Sequence, residues 1–347
     1  MAAKEMAHGW DEQSVFHRLS HDSFSLFFPE ARVGLTAEEV HTHKAETKAK
    51  VIVFCNEESV QTYGGLVSTT MVNLTSELAR TRLANATHKR VNLDGYPWGA
   101  IIDEFAIRVM EEAGKCRPST ELDDGVYDDE STAFVDVLGA TLPFSLPSIL
   151  FGDGGSFKSY LALLWAIEIA EQGHTVAYFD WEMNKRVHAS RAKLLRAAGL
   201  TGKVRYLKPD APLVQSATAL RKEIVKHGIS YAVIDSIGFA ADGPIEESVT
   251  ANRYFQAVSK LGIGTLHLAH VSKDQLNKEA PRVPFGSSFW HNQARSTWHL
   301  SAEQQDENYA HLTLSQRKNN LGRLRESMPI GVQFGHEQTT ITVVKGF

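Results

Sequence analysis

The stretch that most constrains the fold is Ser148-Ile149-Leu150-Phe151-Gly152-Asp153-Gly154-Gly155-Ser156-Phe157-Lys158-Ser159, which runs directly into the apolar segment Tyr160 to Ala170. A short apolar strand, a glycine-rich turn and a Lys-Ser pair opening a helix aim backbone N–H groups and a helix N-terminus at one point, the arrangement that holds phosphates. Gly152, Gly154 and Gly155 can take positive φ and let the main chain approach an anion that a Cβ would keep away, with Asp153 and Ser156 between them. Lys158 would set its ammonium between β- and γ-phosphates, and Ser159 would give its hydroxyl to a Mg²⁺ shell completed mostly by water. One position departs from the usual G-x-x-x-x-G-K-[ST] spacing: Phe157 stands where glycine would precede the lysine. A bulky residue at positive φ is costly, so the loop is expected either to bend differently or to carry strain. A glycine-rich turn without a ligand is the plainer alternative for this octamer taken alone.

At 347 residues the chain is long enough for one sizeable domain and a smaller one. A net charge of −5 argues against a surface that coats nucleic acid with all its faces, and leaves room for a local basic patch. Only Cys55 and Cys116 occur, with no C-x-x-C pair, which removes a disulfide framework and a thiolate zinc site. No apolar run reaches membrane-spanning length, and Lys4, His8, Asp11 and Glu12 interrupt any signal-peptide core, so a cytoplasmic protein without a membrane partner is expected.

Residues 1 to about 48 read as polar and irregular, with short apolar groups such as Phe24-Ser25-Leu26-Phe27-Phe28. His17 and His21 would share a helix face near His41 and His43, but without cysteine or a paired acid they read as surface histidines rather than metal ligands. Val51 to Cys55 is expected as a strand, Gly64-Gly65 as a turn, and a helix near Thr75-Ser76-Glu77 would bring Leu74, Leu78 and Leu83 close to one face. A second amphipathic stretch, Pro97 to Glu112, carries Trp98, Ile101, Ile102, Phe105, Ile107 and Val109 at near-helical spacing. This α+β piece, 1–120, is either a contact surface for nucleic acid or a partner, or a small accessory fold with a solvated basic face. An acidic, turn-rich linker is expected over 121–132, followed by a domain over 133–347.

Beyond the glycine-rich turn, strands at Thr175–Asp180, Val204–Leu207, Tyr231–Asp235 and Thr265–His270 alternate with helices at Lys185–Ala198, Thr218–His227 and Val249–Leu261. This succession implies a mostly parallel sheet flanked by helices, with the loops after the strands gathered on one edge where a ligand sits. His311–Gln316 and Thr339–Val344 alternate and are expected to add antiparallel C-terminal strands. Asp235 closing an apolar strand suits a carboxylate that holds Mg²⁺ directly or by way of Ser159, although an acid there also serves as a helix cap. In Asp180-Trp181-Glu182 a carboxylate is placed to orient attacking water; Glu182 is the expected base and Asp180 the substitute, with N-terminal helix charge as the alternative for Glu182. His270 is placed to bond a γ-phosphate and report its loss to residues 272 to 287, unless it is a solvent-facing strand end.

Taken together these residues resemble the RecA-like P-loop ATPases, in particular the group close to the plasmid replicative helicase RepA. The resemblance runs from about Phe144 to Gln316 and rests on Gly152 to Ser159, Glu182, Tyr231 to Ser236, His270-Val271-Ser272-Lys273 and the block Gly286 to Arg295. It implies a RecA-like core, ATP bound between subunits of a hexameric or filament-like homo-oligomer, and DNA-linked hydrolysis. It also implies a role near the nucleotide for Arg295, which with Arg317 and Lys318 is a candidate finger from a neighbouring subunit; salt-bridging is the alternative for each. Lys273, Lys278 and Arg282 in one loop, and Arg317, Lys318, Arg323 and Arg325 in a later turn, are candidates for tracking a single-stranded DNA backbone without base specificity. The expected function is thus a Mg·ATP-dependent helicase, translocase or loader in replication, recombination or mobile-element and phage biology or defence, working with other proteins of those processes. A nucleotide-gated assembly adaptor with little hydrolysis is the rival, supported by Phe157. A metabolic kinase suits Glu182 and the Arg295 block less well.

Overall fold

The computed structural model describes residues 14–20, 22–56, 63–91, 96–115, 134–271, 283–304 and 306–344, and the chain divides into two compact units, Met1–Asp124 and Gly125–Phe347. The first unit is an antiparallel meander: β1 (Val15–Arg18), β2 (Phe24–Phe28), β3 (Val33–His43), β4 (Glu46–Cys55) and β5 (Leu66–Asn73) pair in chain order. Two helices follow, α1 (Glu77–Val91) and α2 (Trp98–Gly114). Phe24, Leu26 and Phe28 alternate with Ser25 and Phe27, and Ala49, Val51, Val53 and Cys55 alternate likewise, so one face of the sheet is wholly apolar. That face forms one core with Leu83, Trp98, Ile102, Phe105 and Val109 of the helices.

Regular structure therefore begins well before residue 48, against the irregular N-terminal region expected from the sequence. The period-two pattern of Phe24 to Phe28 is short and carries an extra outward phenylalanine, which hides it. His17 lies on β1 rather than on a helix, and His21 is outside the described residues. Two positions expected on apolar helix faces turn outward: Leu78 is 60% exposed and Ile107 49%. The expected linker at 121–132 also lies outside the described residues.

In the second unit a small hairpin, β6 (Phe134–Val137) and β7 (Ala140–Pro143), precedes β8 (Pro147–Gly152). The chain then runs through α3 (Lys158–Glu171), β9 (Val176–Asp180), α4 (Lys185–Ala197), β10 (Val204–Leu207), α5 (Leu213–His227) and β11 (Tyr231–Asp235). The short α6 (Ile237–Ala240), then α7 (Ser248–Leu261), lead to β12 (Gly264–His270), and α8 (Ser288–Gln293) leads to β13 (Ser296–Gln304). The chain ends in β14 (Tyr309–Asn319), β15 (Met328–Phe334) and β16 (Thr339–Val343). Helix α5 starts five residues before the expected Thr218, because Pro212 supplies a fixed φ of −52° at its N-cap.

These strands form a nine-stranded sheet in the order β10-β9-β11-β12-β8-β13-β14-β15-β16. The six from β10 to β13 are parallel and the last three pair antiparallel, as the sequence predicts. Burial on both faces explains the unbroken apolar strands: Leu150, Tyr178 and Val233 join α3 and α4 in one core, while Phe151, Phe179 and Ile234 join α5, α7 and α8 in the other. No helix among the described residues is long and apolar enough to cross a membrane.

The position of β12 decides the geometry of the site. It lies between β8 and β11, with His270 opposite Gly152, while Asp235 stands opposite Asp180 on β9. Gly152, His270, Asp235 and Asp180 thus end four neighbouring strands on one edge.

In the first unit, Phe105→Ala removes a fully buried ring and is expected to cost about 3–5 kcal/mol. Leu78→Ala should stay within about 0.5 kcal/mol of the unmodified protein. Urea unfolding of the two variants measures both.

Candidate active site

The glycine-rich loop connects the end of β8 to α3, and its residues have separable reasons to be where they are. A Cβ on Gly152 would lie 2.2 Å from the Leu300 carbonyl oxygen, so this glycine is required by the neighbouring strand β13. Gly155 has φ of 78°, with open space around its missing Cβ, and so owes its identity to the turn. Phe157 takes φ 63° and ψ 19°, the left-handed conformation at the entry to α3. The loop keeps the usual path and carries strain. The ring finds compensation: it lies 5.1 Å from the ring of Phe334, at the end of β15, which Tyr160 meets edge-on at 6.0 Å.

Lys158 is the first residue of α3 and is 7% exposed. Its ammonium donates to the carbonyls of Gly152 (2.9 Å) and Asp153 (2.7 Å) and reaches the Ser156 hydroxyl at 3.3 Å. Burial lowers its pKa to about 8, with Asp235, Glu182 and Asp153 acting in the opposite direction. A buried cation held mainly by carbonyl dipoles is poised for a stronger counter-charge.

Asp235, 1% exposed, accepts a 2.7 Å hydrogen bond from the Tyr178 hydroxyl and another from Ser159. Burial raises its pKa, and these two bonds only partly offset that. A carboxylate hydrogen-bonded by neutral hydroxyls, one of them on the phosphate loop, is a hard-oxygen donor set suited to Mg²⁺. Asp180 is fully buried and differently employed. Its Oδ1 accepts from the amides of Glu182 (2.9 Å) and Met183 (2.7 Å), and its Oδ2 accepts from the Tyr206 hydroxyl at 2.9 Å. Burial pushes this acid up, but His188, the Met183 amide and Tyr206 outweigh burial and bring the pKa to about 2. The substitute base of the sequence reading is therefore a saturated structural acceptor with no free edge to offer water. Glu182 is exposed and lines the same cleft as Lys158, Ser159, Asp235 and His270, a space of about 220 Å³. Burial and the nearby Lys158 charge lower the pKa of His270, with Glu182, Asp235 and Asp153 opposing.

Arg191, not singled out in the sequence, also lines this cleft from α4. Its guanidinium sits 5.0 Å above the Tyr160 ring, and its buried Nη1 has no hydrogen-bond partner. The sequence signal was a charged residue within the inward stripe of a helix, between His188 and Leu195, which are both buried.

The remaining candidates lie elsewhere. Ser296 pairs with Ser148 on β8, and the Arg295 amide donates to the Pro147 carbonyl. Arg295 therefore stands at the opposite end of the parallel strands, roughly 17 Å along β8 from Gly152 at 3.3 Å per residue, and not in the cleft of its own chain. Lys318 pairs with Thr297 at that same end, and Arg317 precedes it. The Lys318 ammonium donates to the carbonyls of His291, Asn292 and Ala294, closing the C-terminus of α8. Arg317, Arg323 and Arg325 are exposed, and Asn319 and Gln316 tie down the turn through the Arg323 carbonyl and the Arg325 amide. Lys273, Lys278 and Arg282 are outside the described residues.

Residues 115–275 match the model of a family described as an AAA domain, and no curated protein matches the chain. Among solved structures, the ATPase domain of a helicase is similar at 11% identity and a TM-score of 0.47, covering 58% of this chain and 85% of that one. A KaiC-like protein from the hyperthermophilic archaeon Pyrococcus horikoshii is similar at 15% identity and a TM-score of 0.44, covering 59% and 91%. The strand order, the phosphate loop and the AAA match make the second unit a RecA-like P-loop ATPase domain, as the sequence resemblance implied.

Phe157→Ala loses the ring contact and keeps the strained φ, whereas Phe157→Gly loses the ring and relieves the strain. The glycine variant should thus be more stable than the alanine variant by about 1 kcal/mol. Chemical denaturation of the pair measures the difference.

Proposed function

We propose that the chain is a Mg·ATP-binding, ATP-hydrolysing motor of the RepA-related group. The observation that carries the reading is the exposed carboxylate of Glu182 sharing one cleft with the buried Lys158 ammonium and the hydroxyl-bonded Asp235. The loop from Gly152 to Ser159 cradles the phosphates through its amides, and Lys158 exchanges its carbonyl partners for phosphate oxygens. Ser159 and Asp235 would hold Mg²⁺, which supplies charge neutralisation across the β- and γ-phosphates. Glu182 accepts a proton from the attacking water, and His270, on the strand between Lys158 and Asp235, bonds the γ-phosphate while it is present. Arg191, from the same chain, offers its unpartnered guanidinium N–H to charge on the phosphoryl group.

Arg295 and Arg317, remote from their own cleft, fit a finger supplied to a neighbouring subunit of a hexamer or filament. The basic turn with Arg323 and Arg325, together with Lys273, Lys278 and Arg282, fits backbone contacts to single-stranded DNA in replication, recombination or mobile-element biology in a reducing cytoplasm. The strained Phe157 supports the second reading, an ATP-gated assembly adaptor with slow turnover.

Lys158→Ala should abolish turnover. Glu182→Gln should keep nucleotide binding and slow hydrolysis by about 10²- to 10⁴-fold. A Glu182→Gln protein that hydrolyses ATP at the unmodified rate removes Glu182 as the base. Single-stranded DNA that leaves a measurable ATPase rate unchanged removes the motor, and tight binding without turnover selects the adaptor. The free-site pKa of about 8 for Lys158 adds a linkage test. Phosphate charge raises that pKa, so ATP binding should draw in a proton at pH 8.5 but not at pH 7, and affinity should fall as pH rises through 8. Calorimetry in buffers of different ionisation enthalpy reads the proton count.

A further inference from the structure

We infer that Tyr206 and His188 act through Asp180 as a buried brace that positions Glu182, making all three positioning residues for hydrolysis. The inference rests on Glu182 being the base. Asp180 is the last residue of β9, and its Oδ1 takes two successive amides, that of Glu182 itself and that of Met183. The Trp181 amide continues the ladder by one step, donating at 2.7 Å to the Asp235 carbonyl, and its indole N–H donates to the Ala211 carbonyl at 2.9 Å. The backbone on both sides of Glu182 is thus pinned, while its side chain alone is left to the cleft.

The other oxygen of Asp180 is what goes beyond an ordinary turn. A strand-ending aspartate can close a turn with one oxygen and leave the second to water. Here Oδ2 is fully enclosed and receives the Tyr206 hydroxyl from β10 at 2.9 Å, with His188 Nε2 from α4 at 3.3 Å. The His188 ring lies 4.5 Å from that of Tyr178, whose hydroxyl holds Asp235, so both carboxylates share one supporting cluster. Two elements outside the cleft therefore converge on the one group that fixes the amide of the base. Misplacing a catalytic group by about 1 Å costs on the order of 10²-fold in rate, which gives such a brace a kinetic consequence.

The test is a double-mutant cycle on the full-length protein. Tyr206→Phe keeps the ring and removes only the hydroxyl that orients Asp180. In the unmodified background it should lower kcat by about 5- to 50-fold, with KM for ATP changed less than about threefold. In the Glu182→Gln background, read by single-turnover hydrolysis, it should cause no further loss, because there is no base left to position. Asp180→Asn, which keeps an oxygen for the two amides, should be milder than Asp180→Ala, and thermal melting identifies any variant that loses its fold. Equal losses in both backgrounds, an unchanged kcat for Tyr206→Phe, or a rise in KM alone would each overturn the brace. A Glu182→Gln protein with unmodified turnover overturns the assignment of the base instead. A slow Glu182→Gln with a fully active Tyr206→Phe leaves that assignment standing and rejects only the brace.

Discussion

The site depends on the parallel register of four strand ends. Because β12 is hydrogen-bonded between β8 and β11, the phosphate loop and Asp235 are separated by one strand, and His270 occupies that gap. The ladder that aligns Asp235 with Asp180 brings the turn bearing Glu182 to the same edge. None of these residues needs a special local conformation to reach the cleft; each is the last residue of a strand, or follows one closely, and the sheet does the alignment. Burial on both faces makes the register rigid, since a one-residue slip would exchange the contents of two apolar cores.

Within that frame, polar groups are sorted by what surrounds them. Lys158 and Asp235 are both buried and both displaced in pKa by burial, and each is held by weaker partners than a full counter-charge. Asp180, one strand away from Asp235 and also enclosed, is saturated with donors and has become structural. Two aspartates in matched positions thus play opposite parts because of the donors that reach them. Phe157 shows a similar division: its backbone carries a conformation that favours glycine, and its ring recovers contact with Phe334 and indirectly with Tyr160.

Much of the second unit was legible because parallel strands buried on both faces leave continuous apolar runs between loops, and Val176–Asp180 or Tyr231–Asp235 stand out even without neighbours. The first unit was less legible. A sheet with one wet face is written in alternation, and Phe24–Phe28 breaks that alternation with an outward Phe27. Leu78 and Ile107 were misassigned to apolar faces because spacing alone does not say where a helix is covered. Arg191 was missed because no local pattern distinguishes a guanidinium that lines a cleft from one in solvent. Lys318 was read as a mobile charge because its three carbonyl acceptors belong to a helix some 25 residues earlier.

The sequence by itself determined the phosphate loop, the alternation of strand and helix, and the placement of Glu182, Asp235 and His270 at strand ends. These are local properties: periodicity, turn composition and the order of residues along one strand. Only the tertiary structure decided that Asp180 is a brace rather than a base, that Arg191 belongs to the cleft, and that Arg295 stands at the far end of the strand paired with β8. Those outcomes depend on which strands become neighbours and which donors meet across them, and long-range hydrogen bonding leaves no trace in the spacing of residues along the chain.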